Sequence, residues 1–137
     1  MEKEFVPYEL AVKLKELGFD NLCVFLYYNN GNNYVIAEPL IKNSDLSGYE
    51  EITAPTFSQA FRFFREKYDI SSYVDYYEND DYERIWYFII KTKKYESQFD
   101  GSDKTEYCDE PYYKTYEEAE IACLTKLIEI VENNLVD

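Results

Sequence analysis

The chain contains no histidine. That removes Ser-His-Asp and Cys-His nucleophilic pairs and any histidine-ligated zinc, iron or copper site. A cysteine nucleophile would need another neighbour to lower its pKa. The three cysteines, Cys23, Cys108 and Cys123, form no CxxC pair. Cys23 opens a strand-like run and Cys123 falls on an apolar helical face, so both read as core residues. Cys108, between Tyr107 and Asp109, is the thiol to expect at the surface, with nothing nearby to activate it. The four glycines make neither GxGxxG nor GxxxxGK[ST], so the familiar dinucleotide and P-loop cradles are absent. Paired carboxylates can do acid/base work, but among 28 acids no pair stands out. Asp80-Asp81 and Asp100-Gly101-Ser102-Asp103 lack EF-hand spacing and read as solvated turns. No cofactor and no metal are expected, and the balance leans away from an enzyme.

Tyrosine is the residue type that stands out, with 16 in the chain. Tyr73, Tyr76, Tyr77, Tyr82, Tyr95, Tyr107, Tyr112 and Tyr113 all lie outside the expected helices and near acids. A tyrosine ring gives a large rigid contact with a hydrogen-bonding tip, which suits binding surfaces. It equally suits a half-buried sheet face in an aromatic-rich fold. The binding candidates are Tyr76, Tyr77, Tyr107, Asp109, Glu110, Tyr112 and Tyr113, from the second hairpin and the loop 93–114. The rings would anchor a partner, and the acids, with Asp80 and Asp81, would steer a basic one.

Fourteen basic against 28 acidic residues give a net charge of −14, which repels nucleic acid and anionic membranes. Lys91, Lys93 and Lys94, and Arg62, Arg65 and Lys67, are short clusters that read as solvated charge. Scattered cysteines suit a reducing compartment. Met1-Glu2-Lys3-Glu4 lacks the pattern of a signal peptide, and the apolar run over residues 85–90 is far too short to span a bilayer. The expected setting is the cytoplasm, without membrane association, and the oligomeric state is left open.

The elements that must position these residues follow from periodicity. The 137 residues fit a single α+β domain. Pro7 suits the first helical position, Leu10, Ala11, Leu14 and Leu17 recur at helical spacing, and Gly18 supplies a stop, predicting a helix over about 7–17. Cys23–Tyr28 and Tyr34–Ala37 flank Asn30-Gly31, the strongest short hairpin signal. A loop over 39–55 follows, with room for a short strand near about 49–53. Thr56-Phe57-Ser58-Gln59 is a capping box, opening a helix over about 57–68 whose apolar face is Phe57, Ala60, Phe61, Phe64 and Tyr68. Tyr73–Tyr77 reads as a strand. Residues 84–92 are apolar on both pleat faces, as in a central strand covered on both sides. An edge strand is expected near about 95–99 or 105–108. Thr115-Tyr116-Glu117-Glu118 is a second capping box before a helix over about 116–133.

The boxes match: Thr56-Phe57-x-Gln59-Ala60 against Thr115-Tyr116-x-Glu118-Ala119. The chain thus reads as an N-terminal helix followed by two β-hairpin–loop–helix units, with a mainly antiparallel sheet of at least four strands and helices packed on it. The spacing of the strands does not follow the same offset, so a true internal repeat stays open.

Phe5-Val6-Pro7-Tyr8-Glu9-Leu10-Ala11, with Lys13-Leu14-Lys15-Glu16-Leu17-Gly18-Phe19, resembles the start of small uncharacterised proteins of Bacteroidales phages, prophages and mobile elements. Ala54–Arg62 with Phe64–Tyr68 resembles their middle segment, and Thr115–Cys123 their ending. The resemblance spans the three helices. It implies a phage-like setting, hence a host cytoplasm, and carries no activity and no site residue.

Three functions fit these residues. The first is a non-catalytic protein binder with an acidic, tyrosine-rich surface. The second is a DNA mimic that inhibits a nucleic-acid-binding protein, its carboxylates standing in for phosphates. The third is a small-molecule binder or enzyme using carboxylate, Tyr and Arg groups. For the two caps, Thr56→Ala and Thr115→Ala should each cost roughly 0.5–2 kcal/mol of stability. Denaturant midpoints that stay put in both variants would refute the caps.

Overall fold

A computed structural model of the protein describes residues 2–48, 50–92, 105–107 and 112–133. Its architecture is α+β, with helices packed on antiparallel sheets. The chain divides into two compact units, Met1–Ala60 and Phe61–Asp137. Instead of one sheet of four or more strands there are two three-stranded sheets, one in each unit.

In the first unit, α1 (Tyr8–Glu16) follows Pro7, which stands just outside the helix as its N-cap residue rather than at the first helical position. Gly18 ends the helix at φ +96°. The Phe19 N–H donates to the Leu14 carbonyl at 2.9 Å and the Gly18 N–H to that of Lys15 at 3.0 Å, the paired closure of a Schellman motif. Leu14 and Phe19 are both buried. The sheet places β1 (Cys23–Tyr28) between β2 (Asn33–Ile41) and β3 (Ile52–Ala54).

The hairpin turn takes three successive residues in the left-handed region, Asn29, Asn30 and Gly31, at φ 54°, 54° and 87°. Asparagine tolerates that region and glycine enters it freely. Gly31 has a second reason to be glycine: the Tyr8 ring lies where a Cβ would stand. Phe5, Phe25 and Ala54 are buried together, with the Phe5 and Phe25 rings stacked 4.2 Å apart. Tyr27 packs against them and its hydroxyl donates to the Val6 carbonyl at 3.0 Å.

One buried polar side chain ties the unit's loops together. The Asn43 Nδ2 donates to the Phe19 carbonyl at 2.9 Å, and its Oδ1 accepts from the Thr53 N–H at 3.0 Å. Both partners lie far away in sequence, so this amide joins the end of α1, the loop after β2 and the strand β3. Next to it, the Ser44 N–H donates to the Asp20 carboxylate at 2.7 Å. That bond is the main cause holding the Asp20 carboxyl below its ordinary value.

Helix α2 (Phe57–Tyr68) begins in the first unit and ends in the second. Its capping box forms in both directions: the Gln59 N–H donates to Thr56 Oγ1 at 3.2 Å, and the Thr56 N–H donates to Gln59 Oε1 at 3.0 Å. Phe57, Ala60, Phe63 and Phe64 are buried, whereas Phe61 and Tyr68 are half-buried. Phe63 was not on the expected face; it packs edge-on to both Phe64 and Tyr68.

The second sheet is ordered β4 (Ile70–Glu78), β5 (Arg84–Thr92), β6 (Thr105–Tyr107). The β4–β5 register runs unbroken from Ile70 opposite Thr92 to Glu78 opposite Arg84. The Asn79 side chain closes the turn, its Oδ1 accepting from the Asp81 and Glu83 N–H groups at 3.0 Å each. Helix α3 (Tyr116–Glu132) packs on β4 and β5 and buries Ala119, Cys123, Leu124, Leu127, Ile128 and Ile130. Thr115 caps it by accepting from the Glu118 N–H at 3.1 Å. The return bond differs from the expected box, because the Glu118 carboxylate accepts from the Lys114 N–H at 3.2 Å, one residue earlier.

Strand β5 is central, as expected, but covered unequally: Phe88, Ile90 and Thr92 are buried, while Ile85, Tyr87 and Ile89 are half-buried. The two units also differ in topology. β3 returns beside the first strand of its hairpin, whereas β6 continues beside the second strand. Likeness of the capped helices therefore does not extend to a repeated sheet. Of the two places expected for an edge strand, residues 105–107 form one and 95–99 lie outside the described residues.

Asn43→Ala should destabilise the protein by about 1–3 kcal/mol, because it strands the buried Phe19 carbonyl and Thr53 N–H. Chemical denaturation reads this directly; an unchanged midpoint would show that the amide bridge contributes nothing.

Candidate functional site

Side chains alternate along a strand, so the β4–β5 register sorts the aromatic residues onto two faces. One face carries Ile70, Val74, Tyr76, Trp86, Phe88 and Ile90, the other Tyr73, Asp75, Tyr77, Ile85, Tyr87 and Ile89. The first is the face beneath α3, since its residues Phe88 and Ile90 are fully buried and Trp86 meets Tyr116 of the helix at 5.4 Å, edge to face. The second is the outer face.

Tyr76 and Tyr77, neighbours in sequence, therefore point apart. Tyr76 lies 5.0 Å from Trp86 by ring centroids, and the Arg84 guanidinium sits 4.6 Å above its ring. Tyr77 packs beside Tyr87 at 6.3 Å and edge-on to Tyr112 at 5.7 Å. The Tyr112–Tyr113 segment divides in the same way. Tyr113 pairs with Trp86 through two backbone bonds of 2.8 and 2.9 Å and stacks its ring on Phe88 at 6.3 Å. Tyr112 turns to the outer face, 6.5 Å from Tyr87.

Of the sequence candidates, the structure thus brings Tyr77 and Tyr112 together on the outer face. Tyr76 and Tyr113 go with Trp86 on the helix side. The Tyr107 backbone pairs with Ile90 in β6. Asp109 and Glu110 lie outside the described residues. The outer face also contains Tyr73, with the Lys91 ammonium 5.7 Å from its ring, and Tyr87, both missing from the candidates. The signal for them was available: Tyr73, Asp75 and Tyr77 share one pleat face by period two. Tyr73, Tyr77 and Tyr112 are 45, 44 and 41% exposed. Asp75 stands among these rings, and Glu78, Asp80, Asp81 and Glu83 are exposed at the adjoining turn.

Elsewhere, burial pushes the Cys23 thiol up to about 11, so it stays protonated at neutral pH and makes a poor nucleophile. Cys123 is fully buried on α3. Both positions agree with their reading as core residues. On α3, burial, a hydrogen bond with Glu120 and the charge of that carboxylate raise the Tyr116 hydroxyl to about 12. Burial raises Glu120 in turn, opposed by its bond to Tyr116 and aided by the charge of Glu117. In the first unit, an open depression of about 540 Å³ is lined by Tyr28, Asn29, Gly48, Glu50 and Glu51, none of them a candidate. Among the described residues, no helix is long and apolar enough to cross a membrane.

The chain matches no protein-family model, no curated protein and no solved structure.

The Glu120 shift has a stability consequence. A carboxyl with a raised folded-state pKa favours folding while protonated, and that contribution is lost as pH rises through the folded value. Glu120→Gln, which keeps an acceptor for Tyr116, should therefore be more stable than the parent at neutral pH. The difference should vanish below about pH 4, where both side chains are neutral. Denaturant midpoints at the two pH values decide it, and a less stable variant at neutral pH would contradict the burial of this charge.

Proposed function

We propose that this protein acts without catalysis, by binding another protein through the outer face of its second sheet. The observation that carries the proposal is the set of exposed tyrosines, Tyr73, Tyr77 and Tyr112, gathered around Tyr87 and Asp75. The Tyr77, Tyr87 and Tyr112 rings, braced against one another, lose little freedom on binding, which makes them economical anchors. The acids of the 78–83 turn and the net charge of −14 favour a basic partner and work against nucleic acid. The resemblance to phage and mobile-element proteins directs the search to host and phage proteins of the cytoplasm. Asp109 and Glu110 enter the proposal as acids named from the sequence alone.

Capture from a host lysate, followed by binding kinetics with the isolated partner, tests the reading. Tyr77→Ala and Tyr112→Ala should each raise the dissociation rate about tenfold, a loss near 1.4 kcal/mol. Neutralising Asp75, Asp109 and Glu110 should mainly slow association and flatten its dependence on salt. If all these changes leave both rates alone, the binding face is not here.

A further inference from the structure

The two edges of the first sheet are unlike. β3 is covered, with Ile52, Thr53 and Ala54 at most 5% exposed. β2 is open: Tyr34, Val35 and Ile36 are 48, 45 and 45% exposed, although they point alternately to both sides of the sheet. An edge strand offers unpaired N–H and C=O groups, and proteins usually blunt it with charge, proline or a bulge. β4, an edge of the second sheet, follows that rule with Ser71, Ser72, Asp75 and Glu78. The first half of β2 does not. Its register with β1 is regular from Asn33 to Ile36, and the irregularity, Glu38 and Pro39 come only afterwards.

Charge identifies the occupant. The chain is 31% charged residues, yet between Asp20 and Lys42 the sole charged residue is Glu38. Two copies carrying −14 each repel one another wherever their acidic surfaces approach. This hairpin is the stretch where they can meet with least opposition. Carboxylates stand at both ends of the hairpin, Glu50 and Glu51 beside Tyr28 and Asn29, and Glu38 and Asp45 beside Ile36 and Ala37, but none lies within Asn33–Ala37 itself. We propose that Asn33–Ala37 pairs with the same segment of a second copy, antiparallel about a two-fold axis through Val35. The first sheets of the two copies then become one sheet of six strands. In that register Val35 faces its own copy, Tyr34 faces Ile36 and Asn33 faces Ala37, so an aromatic residue meets a β-branched one twice. The Tyr34 ring is already held by stacking on Phe25 at 4.8 Å.

Sedimentation equilibrium of the full chain tests this across protein concentration and between about 50 and 500 mM salt. A dimer should form, and added salt should tighten it by screening the shared negative charge. Val35→Lys sets two ammonium groups together and should weaken the dimer at least tenfold, while mixing the Val35→Lys and Val35→Glu chains should restore it. Amide hydrogen exchange in the parent should slow at residues 33–37 as concentration rises, which needs no variant to fold. A parent that stays monomeric under all conditions would overturn the proposal. So would a dimer indifferent to Val35→Lys, or exchange at residues 33–37 that ignores concentration. Tyr77→Ala and Tyr112→Ala should leave the dimer intact; if they dissolve it, the contact lies on the outer face of the second sheet instead.

Discussion

The antiparallel register of β4 against β5 governs the second sheet, because it assigns each aromatic side chain to the helix side or to the outer side. Strand pairing has a period of two, so a slip of β5 by one residue would turn Phe88 and Ile90 outward and draw Tyr87 and Ile89 beneath α3. Phe88 and Ile90, fully buried, make such a slip costly. The turn adds its own constraint, since Asn79 satisfies two backbone N–H groups only with the strands aligned as they are. The backbone pairing of Tyr113 with Trp86 then carries the same alternation into the segment before α3, which is why Tyr112 and Tyr113 part company.

Local signals in the sequence were strong where a single element closes on itself. The Thr56–Gln59 box sits in one turn of chain, and the predicted span of α2 agrees with the observed one. Residues 84–92 form a strand from end to end, and Asn30-Gly31 lies in the first hairpin turn. Less legible were matters decided by partners distant in sequence. Nothing near Ile52 says that β3 should join β1, nor does the chain near residue 105 say that β6 should join β5. Phe63 falls outside the apolar face made by Phe57, Ala60 and Phe64, yet a helix buried over a wider arc takes in the adjacent position too. For the candidate site, nearness in sequence does not give nearness in space. Tyr76 and Tyr77 show this, since consecutive strand residues point to opposite sides.

Tyrosine does two kinds of structural work here. Tyr27 lies against buried Phe25 while its hydroxyl reaches the Val6 carbonyl, fastening the chain ahead of α1 to β1. Tyr116 places its ring against Trp86 and its hydroxyl against Glu120, so one side chain links the start of α3 to the sheet and to its own second turn. In each case the ring packs like a hydrocarbon while the hydroxyl at its tip finds a polar partner.

Tyr8 gives the first hairpin a property that turns seldom have. Loop tips on protein surfaces ordinarily accept extra residues, and they are where tags, insertions and new chain ends are best tolerated. At residues 29–32 the tip lies under the ring of a helix residue, with Gly31 supplying the clearance that ring requires. A longer or bulkier tip would push Tyr8 away, and Tyr8 is also in edge contact with Tyr27. The turn is therefore a packed part of the first unit rather than a free end of its sheet, and a poor place to splice in foreign sequence.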